Sequence, residues 1–251
     1  MRRLFPLCLF AFLFACQPQE EPAQRPEAKA EAVISEALRA HGSHLVDSSS
    51  LEFSFRQYNY QVFRQGGKFL YVRSFIDSSG ALIRDQLTND SLQRTVNGEP
   101  LDLTPKDSAG YAGSVNSVVY FALLPYFLQD EAVNAVYLGE TTIKESPYHK
   151  IGVTFRQEGG GTDYEDEYVY WVHQEQHTVD YLAYNYQVNG GGARFREAFN
   201  VRSVEGLRIA DYRNYKPKTD TRAVATFDSL FQAGELEQVS LIETENVRLS
   251  R

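Results

Sequence analysis

Three neighbouring runs, Leu51-Glu52-Phe53-Ser54-Phe55, Tyr60-Gln61-Val62-Phe63-Arg64 and Lys68-Phe69-Leu70-Tyr71-Val72-Arg73, place apolar side chains at alternate positions, with short polar or Gly-containing breaks between them. Successive side chains of a strand point to opposite faces, so this pattern writes a meander of antiparallel hairpins with one buried face. Further strands are expected at 81–88, 91–97, 135–143, 148–156, 167–173, 178–187, 193–201, 206–215 and 236–248. Sixteen Tyr and sixteen Phe set against one Met and one Trp agree, because aromatic side chains suit a pleated, half-buried surface. About eleven strands without regular strand-helix alternation exclude the parallel α/β folds and predict a mainly β (α+β) domain, an antiparallel sheet or open barrel.

Two helices interrupt the strands. Ala30, Val33, Ile34, Ala37 and Leu38 recur at helical spacing within 28–41, and Gly42 provides the stop. The stretch 114–130, SVNSVVYFALLPYFLQD, is apolar nearly all round, which predicts a buried helix kinked or broken at Pro125, a lid or plug over the sheet.

The N-terminus reads as an address. Met1-Arg2-Arg3 precedes an apolar run that ends at Ala15-Cys16 and turns abruptly polar, the layout of a secretory signal over residues 1–15. A membrane-spanning helix needs about 20 apolar residues, and this run is shorter. "LFAC" resembles the bacterial lipobox, which implies cleavage before Cys16 and acylation of its thiol and amine, a fatty acid such as palmitate among the chains. The alternative is an ordinary cysteine like Cys8 in a signal cut elsewhere. Residues 17–27, QPQEEPAQRPE, then form a solvated tether, and 28–251 a single domain. The expected location is the bacterial envelope, lipid-anchored, at the outer membrane. Cys8 and Cys16 are the only cysteines, so no disulfide staples the domain.

A net charge of -8 argues against a nucleic-acid partner, which would call for a basic face. His173-Gln174-Glu175-Gln176-His177 has two His four apart, but such spacing converges on a metal only in a helix, and here it joins two strands. Asp163-Tyr164-Glu165-Asp166-Glu167, after Gly159-Gly160-Gly161, lacks the ligand spacing of a calcium loop and reads as a solvated turn. Gly190-Gly191-Gly192 is followed by no Lys-Ser/Thr and is no phosphate loop. Strict alternation through the next strand puts Phe195, Glu197, Phe199 and Val201 on one face. Arg194, Arg196, Asn200 and Arg202 fall on the other, a solvent-facing side on which the three arginines are available to a partner or a ligand head group. No nucleophile elbow, metal box or nucleotide fingerprint gives a positive case for an enzyme, and neither a cofactor nor a metal is expected.

The helix SVNSVVYFALLPYFLQD, the strand YHKIGVTF, the Gly-flanked RFREAFN and the closing GLRIADYRNY resemble a family of bacterial lipoproteins of unknown function (DUF6503-like), over roughly residues 28–248. That family is similar to the LolA/LolB type of lipoprotein carrier, an incomplete antiparallel barrel whose concave face is covered by helices. The resemblance implies a monomer with an apolar cavity for acyl chains or another hydrophobic ligand, lined by Tyr120, Phe121, Leu124, Tyr126 and Phe127 of the lid and by Phe195 and Phe199 of a strand. The other reading of these residues is a solid core, and the other reading of the protein is a ligand-free structural or protein-interaction lipoprotein docking through Arg194, Arg196 and Arg202. Relatives are also labelled deoxyribose-phosphate aldolases; that chemistry needs a Schiff-base lysine, for which Lys150 is the nearest candidate.

Overall fold

The computed structural model describes residues 25–158, 165–187 and 190–250. The signal at 1–15, Cys16, most of the tether and the first part of the acidic turn lie outside the described residues. Helix α1 (Pro26–Ala40) starts two residues earlier than expected, since proline at the first helical position is already set for the helix. It buries Ala30, Val33, Ile34 and Ala37, the face its spacing implied. Gly42 ends the turn at φ 70°, where a Cβ would stand 2.2 Å from the carbonyl oxygen of Gly206, so only glycine fits.

Among the described residues fourteen strands follow, all paired antiparallel, in two seven-stranded sheets. Sheet I is a meander of β1 (Ser50–Phe55), β2 (Tyr58–Gln65), β3 (Lys68–Ile76), β4 (Leu82–Thr88), β5 (Leu92–Val96) and β6 (Glu99–Leu101). Sheet II is a second meander of β7 (Val133–Ile143), β8 (Ser146–Phe155), β9 (Tyr168–His173), β10 (Val179–Tyr186), β11 (Gly192–Val204), β12 (Leu207–Pro217) and β13 (Leu236–Ile242). The chain then turns at Glu243 into β14 (Thr244–Ser250), which leaves sheet II and adds to sheet I beside β1, Leu249 opposite Leu51. Buried Asp211 pins this corner by accepting from the Thr244 N–H at 3.0 Å and its hydroxyl at 3.1 Å. The outer edges, β6 and β7, do not pair with each other, so the barrel is incomplete.

The strand count exceeds the expected eleven for local reasons. The run at 236–248 is two strands broken at the corner, and β6 is three exposed residues without a pattern to read.

Helix α2 (Pro105–Ala122) connects β6 to the second sheet and packs on β3, β4 and β5. Thr104 caps it by accepting from the Asp107 N–H at 3.2 Å. It begins nine residues before the expected 114, because PKDSAGYAG has no apolar period. The expected all-round burial belongs instead to residues 123–128, the coil and 3-10 turn around Pro125; within α2 only Val115 and Val119 are fully buried.

Sheet I gives α2 its inner face only. There Asp85, fully buried, holds Arg73 at 2.7 Å and Arg94 at 2.6 Å; Arg73 donates to Ser114 and Arg94 lies over Tyr111, so the network seats the helix. Sheet II is covered twice. Ile151, Val153, Tyr170, Val172 and Leu182 pack inward under α1 and residues 124–128, while Trp171, Tyr181 and Phe195 pack outward under α3 (Phe227–Gln232). Buried His41, just past α1, accepts from the Val179 N–H at 3.0 Å through Nε2, tying α1 to sheet II.

Candidate functional site

The C-terminal half of α2 does not lie flat on the sheets. Ser117, Val118, Phe121 and Ala122 stand over a cleft of about 240 Å³ floored by Arg196, Ala210, Tyr212, Asn214, Ser240 and Ile242 of β11 to β13. Phe55, Arg56 and Thr244 close it where the two sheets join. The walls are mainly apolar and the rim, at Arg56 and Ser117, is exposed.

Arg196 is the one charged side chain in the floor. It is 7% exposed, its Nη2 donates to Tyr184 Oη at 2.9 Å, and its guanidinium carbon lies 3.6 Å from the centre of the Phe121 ring. Its Nε has no acceptor, and Asn214 Oδ1, in the same floor, has no donor. Burial pushes the Tyr212 hydroxyl above its usual range, so it stays a neutral dipole.

Of the expected lid residues only Phe121 lines this cleft. Tyr120 bonds Tyr170 through their hydroxyls at 2.9 Å, its own ionisation pushed up by burial, and stacks on Phe127. Tyr120 and Phe127 instead face a wider, open depression of about 660 Å³ that carries Arg64, Asp130, Arg156 and Glu158. Leu124 is core under α1, and Tyr126 donates to Asp47 at 2.9 Å.

Phe195 and Phe199 do not share a space with the lid. Phe195 is fully buried on the outer face against Trp171 and Phe231, and Arg213 lies over Phe199. The arginine side is likewise corrected: it is not a solvent face. Sheet II is covered on both sides, so Arg196 is buried; Arg194 lies over Tyr186; and a bulge between Phe199 and Arg202 inserts a residue, bringing Arg202 to Asp211 at 3.2 Å. Sequence reasoning passed over Asn214 and Ser240. Their signal was parity: each falls on the same strand face as an inward neighbour, Tyr212 and Ile242.

Lys150 sits on the outer side, its Nζ 2.9 Å from buried Asp228. The His173–His177 stretch is the β9–β10 turn, with His173 Nδ1 accepting from the N–H groups of Glu175 and Gln176. Among the described residues no three His, Cys, Asp or Glu side chains stand close enough to hold a metal, and no helix is long and apolar enough to cross a membrane.

The family described as "Family of unknown function (DUF6503)" matches residues 2–244. The chain belongs to that family. Among curated proteins none matches this DUF6503 member in sequence. Solved structures similar to it include a LolA superfamily protein from Nitrosomonas europaea, at 13% identity over 88% of this chain and 94% of that one with a TM-score of 0.49. Another is a DUF1329 family protein from Desulfovibrio piger, at 11% identity over 90% of this chain and 93% of that one with a TM-score of 0.49.

Proposed function

We propose that this DUF6503 protein is an envelope lipoprotein that binds or carries an apolar ligand, a lipid or an acyl chain, between α2 and the joined sheets. The observation that carries the reading is the cleft itself. A helix with strands beneath it normally closes to native packing density, and here α2 over β11 to β13 leaves about 240 Å³ lined by Val118, Phe121, Ala122 and Ile242. Anchoring through Cys16, with residues 17–25 as the tether, would keep the cleft near a membrane surface; several acyl chains together hold a protein there stably.

The docking alternative would rest on Arg194 and Arg202, both partly exposed, because Arg196 is buried. The aldolase label finds no support at Lys150, whose amine is held as an ion pair with Asp228. The test is native mass spectrometry of the purified domain, with organic extraction after denaturation. A stoichiometric lipid-like adduct, or uptake of added single-chain lipid, is expected. An apo mass that stays apo with every lipid offered removes the reading.

A further inference from the structure

One cross-strand row on the inner face of sheet II is polar. Arg196 of β11 stands opposite Asn214 of β12, which stands opposite Ser240 of β13, to which it donates at 3.1 Å. Its neighbours on the same face, Leu182, Ala198, Ala210, Tyr212 and Ile242, belong to the apolar core. The row lies in the floor of the cleft.

Buried polar atoms in native proteins nearly always have partners. Sheet I obeys: both of its buried arginines are paired to Asp85. The row in sheet II does not, because Arg196 Nε and Asn214 Oδ1 are both left over. Of the six unmatched buried polar atoms among the described residues, these two alone fall on facing residues of one row.

We infer that this row is a head-group site and that the ligand is a single-chain amphiphile ending in an oxyanion, with carboxylate as the type. The inference rests on the reading above, that the cleft takes an apolar ligand, and adds what the cleft recognises. A guanidinium is always charged and offers its N–H groups in a planar fork that matches the two oxygens of a carboxylate or phosphate. Stacking on Phe121 fixes the plane of that fork. A serine hydroxyl donates as well as accepts, so the Asn214 amide can turn, let Oδ1 accept from Ser240, and present Nδ2 to the same anion. Arg56 at the rim adds a second positive charge in a protein whose net charge is -8. The chain of the ligand lies along Val118, Phe121, Ala122 and Ile242. At about 240 Å³ the cleft is smaller than the roughly 300–1,000 Å³ that encloses a drug-sized ligand, which suits one chain of medium length and not a diacyl lipid.

The segment from Arg25 onward contains both sheets and all three core clusters, so it is tested by itself. Calorimetric titration compares decanoate, decanol and inorganic phosphate. Decanoate is expected to bind at least about tenfold more tightly than decanol, phosphate to give no heat, and Arg196→Met to bring decanoate down to the level of decanol. Equal affinity for decanoate and decanol overturns the head-group site and leaves the apolar cleft standing. Binding of neither removes both. Phosphate binding as tightly as decanoate overturns the amphiphile. If Arg196→Met does not fold, the wild-type ratio of the two decyl ligands decides alone; if it folds and keeps the full ratio, Arg196 only latches α2 and the inference fails.

Discussion

Sheet I turns Phe63 and Arg84 to water, whereas sheet II keeps Trp171 and Phe195 at its outer face dry beneath α3. The difference reaches into the sequence. A strand covered on one side alternates, as β4 does with Ile83, Asp85 and Leu87 buried between more exposed neighbours; a strand covered on both sides reads as a continuous apolar run, as Tyr168–His173 does. It also changes what a buried arginine means. In sheet I Arg73 and Arg94 share Asp85 and serve the architecture, while in sheet II Arg196 faces a cleft with a donor left over.

The contrast can be broken at several points. The largest effect is expected from Asp85→Ala, which strands two buried guanidinium groups and should cost about 3–5 kcal/mol in urea unfolding. A cost under about 1 kcal/mol would mean that the network does not seat α2. Next, Phe195→Ala should cost about 3–5 kcal/mol, because nothing refills the space between Trp171 and Phe231.

A smaller effect tests the tie between α1 and sheet II by pH. Burial, with Arg208 nearby, lowers the pKa of His41 to about 3. Its proton sits on Nδ1, where the Leu124 carbonyl is near but outside good hydrogen-bond geometry. The unfolded chain binds a proton at this residue near pH 6.5 and the folded one does not. His41 therefore contributes fully above pH 6.5, and stability falls as pH drops from 6.5 towards 3. His41→Gln should flatten that part of the pH-stability curve; an unchanged slope would assign it to other groups. Arg196→Met should cost less than about 1 kcal/mol, since no carboxylate loses its partner, and a cost like that of Asp85→Ala would make the two arginine sites equivalent. Smallest of all, Phe63→Ser on the wet face of sheet I should shift stability by no more than about 0.5 kcal/mol, which tests whether that face is as open as it looks.

Sheet I was readable almost strand for strand, because alternation and turn residues agree there. In sheet II the strands were readable but their sides were not. Period two divides Phe195 from Arg196 without telling which faces inward, and the polar one was assigned to water, whereas Arg196 lies inward beneath α2 and Phe195 outward beneath α3. Helix α3, six residues inside a stretch with no long period, left no mark to recognise. The bulge before Arg202 moved it off the face that strict alternation gave it. As for the cleft, Phe121 and Arg196 were both singled out, yet their meeting depends on a register among three strands and a helix far apart in the chain.

The seam between the halves has a temporal side. The partner of β1 across from β2 is β14, 189 to 200 residues further along the sequence (Phe55 opposite Thr244, Ser50 opposite Ser250). However the chain is delivered from its N-terminus, β1 waits with an open edge until β14 has emerged, and only then are the two meanders joined strand to strand. Contacts this distant in sequence make for slow folding and leave an edge exposed to other chains meanwhile. β14 thus sets the clock for assembly, and removing it would spare the other strands and undo the stitch between the two sheets.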